Sequence, residues 1–297
     1  MITCNLMGGL GNQLFQIFTT ISYGLQAQNQ FIFSDVKTLG SGNTTIRNTY
    51  WNTFFIELKS FLFSETEAPN VQVIKEDGFH FQDVPLHLLQ NKNICLFGYF
   101  QSYKYFNKHA SLIYKMLKIK YKKKDVQDKW QRELERNGEK MTVTKYLENT
   151  TSLHFRMGDY KKTPQVHPIM PYEYYQNAIS FIQQRNSEKR NILYFCENQD
   201  VDDVMIIITK LQARFPKYTF IRASSVLEDW EQMLLMSICK NNIIANSSFS
   251  WWAGYLNTQS DKIVCYPDVW FGEACRHNTT DLFPTSWIKI NSKFAET

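Results

Sequence analysis

The sequence predicts an α/β fold built on a parallel sheet. Strand-like and helical patterns alternate from Thr151 onward, and the first 35 residues read as a β-α-β unit around a glycine turn. With 297 residues the chain is long enough for two domains, each with its own core.

The elements follow in order. Ile2–Leu6 has the character of a strand, and Gly8-Gly-Leu-Gly11 supplies a turn. Leu14, Phe18, Ile21 and Leu25 then recur at helical spacing before Phe31-Ile-Phe33 begins a second strand. Positions 40–52 are rich in Gly, Ser, Thr and Asn and read as a loop, while 53–93 show no order of elements. Ile94–Phe100 reads as a buried strand, followed by a helix from about Tyr105 to Lys118. Positions 118–138 are charge-dense around Lys122-Lys-Lys124. The acids Asp125, Asp128, Glu133 and Glu135 favour a solvated helix face joining two halves over a phosphate or nucleic-acid patch. Further strands are expected at Leu153–Arg156, Ile192–Cys196, Tyr218–Ile221, Ile243–Ala245 and Ile263–Tyr266, with helices near 172–185, 200–214, 229–240 and 250–257. The domain boundary is placed accordingly, at 1–150 and 151–297. Right-handed crossovers line up the loops that follow the strands along one edge, where open parallel sheets bind ligands.

Composition narrows the function. Apolar residues make up 43% and charged residues 21%, which excludes disordered and collagen-like chains. Lys+Arg 33 against Asp+Glu 28 leaves +5, a mild excess that fits an anionic small ligand better than a nucleic-acid partner. No apolar run approaches the roughly 20 residues that cross a bilayer, and no signal-peptide pattern opens the chain, so a cytoplasmic protein is expected. The six cysteines form no C-x-x-C pair and read as free thiols rather than a zinc site.

Three motifs carry chemistry. Gly8-Gly-Leu-Gly-Asn-Gln13 brings Gly9, Gly11 and backbone amides to a helix N-terminus, with Asn12 and Gln13 as hydrogen-bonding side chains. It suits an anion or a sugar and matches neither a P-loop nor a dinucleotide fingerprint. In His154-Phe-Arg-Met-Gly-Asp-Tyr160, strand alternation aims His154 and Arg156 one way and Phe155 the other. Arg156, at a strand's C-terminal end, is suited to grip a diphosphate bidentately, while Asp159 either orients it or accepts a proton. Asn246-Ser-Ser-Phe-Ser-Trp-Trp252 follows a strand and opens a helix, so Ser247, Ser248 and Ser250 make a second anion cradle or a plain N-cap. Phe249, Trp251 and Trp252 read as packing that fixes this loop. An arginine and a helix N-terminus facing one crevice stabilise a departing diphosphate without a metal. No Asp-x-Asp metal motif stands in a loop, and Asp202-Asp203 reads as the acidic first turn of a helix.

At these motifs the chain resembles the α-1,2-fucosyltransferases, glycosyltransferase family 11. Four blocks carry the resemblance and span nearly the whole chain: Gly8–Gln16, Gly98-Tyr-Phe-Gln-Ser-Tyr-Lys-Tyr-Phe106, His154–Tyr160 and Ile243–Trp252. The resemblance implies a GT-B-like architecture of two Rossmann-like domains facing a cleft, the N-terminal one on the acceptor side and the C-terminal one holding a GDP-sugar. It further implies GDP-L-fucose as co-substrate, no cofactor and no metal, and inverting transfer to the 2-OH of a galactose-containing acceptor glycan. Arg156 then binds the diphosphate, His154 approaches the guanine, and Asn246, Ser247, Ser248, Phe249 and Ser250 form the phosphate-side loop. Asp229 faces the nucleotide or is merely a helix-start carboxylate. Asn12 lies near the fucose and acceptor with Gly9, Gly11 and Gln13, and Asp159 is the candidate base. Two departures stand out: Met157 replaces a second arginine, and Cys196-Glu-Asn198 replaces Ser-Asp-Asp. They are the only support for the alternative, a non-catalytic glycan-binding protein that keeps the fold; because the first arginine, Arg156, carries the diphosphate contact, activity should survive the change at Met157. Lacking a Golgi anchor, the chain resembles bacterial or viral members, with its Lys-rich segment open to peripheral membrane contact.

Overall fold

The structure is a computed structural model that describes residues 1–40, 45–64, 70–136, 138, 142–185 and 190–293. Positions 41–44 of the expected loop therefore lie outside the described residues, as does 137 of the charged segment. The chain divides into two compact units.

The first unit comprises Met1–Tyr121 and His277–Pro284. It begins with β1 (Ile2–Cys4), α1 (Leu10–Ala27), β2 (Phe33–Ser34), β3 (Thr38–Leu39), β4 (Arg47–Asn48) and β5 (Leu62–Phe63). Then come β6 (Gln72–Lys75), α2 (Leu86–Leu89), β7 (Ile94–Phe97) and α3 (Ala110–Met116). Strands β1, β7 and β6 form a parallel sheet in that order. The apolar stripe that predicts α1 is buried, with Leu14, Phe15, Ile17, Phe18 and Ile21 fully inaccessible. The stretch without pattern contains the two-residue β5, the four-residue β6 and α2, and a 3₁₀ turn at Ile56–Phe61 held by buried Phe54, Phe55 and Leu58. Elements that short carry no periodicity to read.

The second unit comprises Lys122–Arg276 and the chain from Thr285 on. It takes in most of α4 (Ile119–Arg136), then α5 (Val143–Glu148), β8 (Thr150–His154), α6 (Tyr172–Arg185), β9 (Arg190–Phe195), α7 (Val201–Arg214) and β10 (Tyr218–Arg222). It continues through α8 (Asp229–Ile238), β11 (Asn241–Ile243), α9 (Ser248–Leu256), β12 (Val264–Pro267) and β13 (Ile288–Ile290). All six strands are parallel, in the order β10-β9-β8-β11-β12-β13. Counted by appearance this is 3-2-1-4-5-6, the doubly wound Rossmann order, whose switch point falls between β8 and β11. Leu153, Ile192, Ile243 and Cys265 of the strands form one core with Tyr174, Ile179 and Ile208 of the helices.

A buried amide network fixes the β8–β11 pairing on which the switch point depends. Asn242 Nδ2 donates to Ser152 Oγ at 2.8 Å and to Met236 O at 2.8 Å, while Asn257 Nδ2 donates to Asn242 Oδ1 at 2.7 Å. Buried polar groups satisfied in this way specify one register.

The boundary falls at Tyr121/Lys122 rather than at 150/151. The charged segment is solvated on one face only; Val126, Trp130 and Leu134 on its other face are buried, and Lys129 pairs with buried Glu231 of α8. In the opposite sense, 277–284 returns to the first unit, where Ser102 Oγ donates to Asp281 O at 2.6 Å and the Phe79 and His277 rings stack at 5.0 Å. No helix among the described residues is long and apolar enough to cross a membrane.

Candidate active site

The loop after β8 holds Arg156, two residues beyond the strand end. Phe155 is 1% exposed and packs on Tyr175, with ring centroids 4.5 Å apart, which aims Arg156 away from that core. The guanidinium pairs with both Asp159 and Glu197 and lies over the Tyr160 ring, 4.8 Å from its centroid. Tyr160 in turn stacks on His167 at 4.7 Å, and His167 packs against Phe271. Burial opposes the Arg156 charge, but Asp159, Tyr160 and Glu197 outweigh it and raise its pKa above the ordinary value. The side chain is thus charged, 15% exposed and held from three sides.

Gly158 permits this turn, with φ +34 and an imaginary Cβ only 3.0 Å from Arg156 Nη1 and from the Glu197 carboxylate. Its N–H donates to Asp200 Oδ2 at 2.8 Å, and Lys161 Nζ reaches Asp200 Oδ1 at 2.7 Å. Asp200 is 1% exposed, so a buried carboxylate from the loop after β9 clamps the arginine loop. Neither Glu197 nor Asp200 is among the site residues expected from the sequence. Their only local signal is a run of polar residues just past a strand. Met157 is 4% exposed within the hydrophobic core, so its side chain serves packing and not a ligand.

His154 closes β8 and is 7% exposed; its Nδ1 is buried without a hydrogen-bond partner among the described residues. Burial first, and then the Arg156 charge, lower its pKa to about 3. The folded imidazole is therefore neutral, while the unfolded one takes a proton below its ordinary 6.5. Stability from this group is complete above pH 6.5 and is lost as pH falls toward 3, at about 1.4 kcal/mol per pH unit. Urea midpoints measured at pH 7.5 and 5.5 should drop in the wild type and drop less in His154→Gln. Equal drops would refute the burial of a neutral ring.

The loop after β11 lies against the same edge. The Phe249 ring sits 5.5 Å from the His154 ring, and Tyr160 OH donates to Asn246 O at 3.1 Å. The arginine loop and the serine loop thus converge, flanking the switch point. Asn246 is 2% exposed, and its Nδ2 ties together Pro168 O and Trp270 O at 2.9 and 3.2 Å. Ser247 is the N-cap of α9, its hydroxyl accepting from Phe249 N at 3.3 Å. Ser250 is fully buried and donates back to Ala245 O and Ser247 O, both at 3.4 Å. Ser248 and Phe249 are partly exposed at the helix start, and Trp251 and Trp252 behind them are fully buried. At the far end of α9, Lys123 Nζ donates to Leu256 O at 2.6 Å and Lys262 Nζ to Gly254 O at 2.9 Å; burial lowers their pKa values to about 7 and about 8, so Lys123 is only partly charged at neutral pH. Asp229 Oδ1 accepts from Trp230 N at 2.7 Å in the first turn of α8, beside a capping box of Glu228 and Glu231.

The first unit carries the glycine loop. Gly9 is the N-cap of α1, and Gly11 is buried in its first turn. Gln13 is fully buried and donates to Gly8 O at 3.0 Å and Asn48 O at 2.9 Å, so it braces the loop. Gln16 does the same for Asn5 O and Gly98 O, at 3.2 and 2.9 Å. Asn12, partly exposed, accepts at Oδ1 from Gln101 Nε2 at 2.9 Å. Among the described residues no group of three or more His, Cys, Asp or Glu side chains is placed to hold a metal ion.

Fold and site define a doubly wound α/β protein with an arginine and a capped helix start at its switch point, where such sheets take ligands. The model of Glycosyl transferase family 11 matches residues 1–291, and the chain belongs to that family. The O-antigen biosynthesis glycosyltransferase WbnK of Escherichia coli is 30% identical over 324 residues, which cover 98% of this chain and 100% of WbnK. An Alpha-1,2-colitosyltransferase of Escherichia coli is 25% identical over 313 residues, 98% of this chain and 99% of that protein. Among solved structures, a mutant of Arabidopsis thaliana FUT1 in complex with GDP shares 11% identity and a TM-score of 0.47, over 89% of this chain and 70% of that one.

Proposed function

We propose that this glycosyltransferase moves L-fucose from GDP-L-fucose to the 2-OH of a galactosyl acceptor, with inversion and without a metal. The convergence of Arg156 and the start of α9 on one switch point carries the reading. The acceptor oxygen attacks the anomeric carbon as the bond to the diphosphate oxygen breaks, through an oxocarbenium-like transition state. Arg156 and the α9 amides stabilise the charge growing on GDP, and His154 and Phe249 line the nucleotide side. Asp159 orients Arg156, and the hydroxyl proton leaves late, to water or a departing phosphate oxygen. Asn12 positions sugar or acceptor. The unit built on β8–β13 holds the donor and the unit built on β1–β7 serves the acceptor. The proposed setting is the cytoplasm, with the exposed side chains of Lys120 and Lys124 on α4 open to peripheral contact with an anionic membrane.

The two departures from the family pattern give the glycan-binding alternative little support, since Met157 is a core residue and Glu197 braces Arg156. The test is linkage analysis of products from a galactoside panel, with GDP-L-fucose and GDP-colitose run side by side and EDTA present or absent. The expected product is α-1,2-fucosylated galactose at an unchanged rate in EDTA. Absence of GDP binding by calorimetry would leave only the glycan-binding protein.

A further inference from the structure

We infer that His167 is a further donor-binding residue, whose imidazole N–H meets the diphosphate of the nucleotide sugar beside Arg156. The inference rests on the proposed placement of a GDP-sugar at the switch point, and it adds a side chain that lies outside the motifs behind that placement.

His167 belongs to the segment that leads from the arginine loop to α6, and its ring folds back onto that loop. The imidazole stacks on Tyr160 with centroids 4.7 Å apart and planes tilted by 18°, and the Arg156 guanidinium lies over the same tyrosine ring at 4.8 Å. One tyrosine thus carries both groups and sets their spacing. Phe271 packs against the imidazole as well, at 6.0 Å.

The backbone beneath the ring is pinned. The N–H groups of Val166 and His167 both donate to Thr163 O, at 3.0 and 2.8 Å, while Gly272 N–H donates to Val166 O at 2.9 Å and Ala274 N–H to Gln165 O at 3.0 Å. A Cβ on Gly272 would collide with Gln165 O, so the two segments approach as only glycine permits. Pro168 O, the next carbonyl along, is held by Asn246 Nδ2, which also donates to Trp270 O; two carbonyl partners admit only the nitrogen end of the amide. The serine loop, Tyr160 and 163–168 therefore form one frame within the second unit.

That frame presents a half-buried imidazole whose two nitrogens have no hydrogen-bond partner among the described residues. Whichever nitrogen holds the proton, a neutral imidazole keeps one N–H to give. Burial lowers its pKa below the ordinary 6.5, with Asp159 opposing and Arg156 assisting, so the ring is neutral at neutral pH. A neutral donor can share an anion with Arg156 without repelling it. The anion in turn favours the protonated ring, so a bound diphosphate should raise this pKa.

The test measures GDP affinity by calorimetry for the wild type, His167→Phe and His167→Ala, with thermal melting alongside. It also follows the His167 ring resonance by NMR across the neutral pH range, with GDP, with guanosine and with neither. His167→Phe keeps a ring on Tyr160 but gives up the N–H. It should melt with the wild type yet bind GDP about tenfold more weakly, the loss of one hydrogen bond to a charged group. His167→Ala should bind as weakly and melt lower, having lost the stack too. In the wild type, GDP should raise the midpoint of the His167 resonance by about one pH unit, and guanosine, which lacks the diphosphate, should leave it in place. That resonance is assigned by its absence from either variant, and its response decides the matter should His167→Phe melt early. Wild-type GDP affinity in His167→Phe, or a resonance that ignores GDP or moves equally with guanosine, would overturn the inference. A wild type that binds no GDP would instead remove the donor site itself, and the role of His167 with it.

Discussion

Arg156→Ala should lower transfer from GDP-L-fucose by about two to three orders of magnitude, as expected when a charged donor to the leaving group is lost. The loss should fall mainly on kcat, with a smaller weakening of GDP binding, because the guanidinium meets more charge in the transition state than in the bound donor. Arg156→Lys should recover only part of it: the ammonium keeps the charge but loses the planar fork and its stacking on Tyr160. Removing the cation also leaves Asp159 and Glu197 facing the same space, so some of the damage is structural. Melting curves and GDP titration separate the two contributions. Near-normal turnover in Arg156→Ala with GDP-L-fucose would end the role proposed for this loop.

Asp200→Ala should be the most damaging change outside direct ligand contact. The buried carboxylate accepts from Gly158 N–H and from Lys161 Nζ, and the hydrogen bond from the Gly158 backbone to this charged group contributes about 1.5–3 kcal/mol. Its removal strands the Gly158 N–H and lets the turn that aims Arg156 relax. We expect a lower urea midpoint together with roughly a tenfold drop in kcat, the latter following from misplacement of a charged group. Asp200→Asn keeps an acceptor for Gly158 and should restore most of the stability. An Asp200→Ala enzyme with wild-type midpoint and turnover would show that the loop holds itself.

Much of the C-terminal sheet was legible because its strands are buried on both faces and read as apolar runs between helical patterns. The helix expected at 172–185 is α6, and those near 200–214 and 229–240 are α7 and α8 to within two residues. The strand β13 escaped notice, since three residues near the chain end show no pattern. The charged segment misled by the same logic: its polar face dominates the composition, while Val126, Trp130 and Leu134 attach it to the second unit.

The sites divide in the same way. Arg156, Asn12 and the serine loop could be picked out because each stands where a strand gives way to a helix or turn, a junction that local residue types mark. Their partners could not. Glu197 meets Arg156 across 41 positions, Asp200 meets Gly158 across 42, and Gln101 meets Asn12 across 89. Local sequence determined which segments bury an apolar face and where backbone donors are left at helix starts. Only the tertiary structure decided which carboxylate, amide or ring each of those groups would meet. Periodicity records how a segment faces the core, whereas a pairing between distant loops depends on the strand order that brings their ends to one edge.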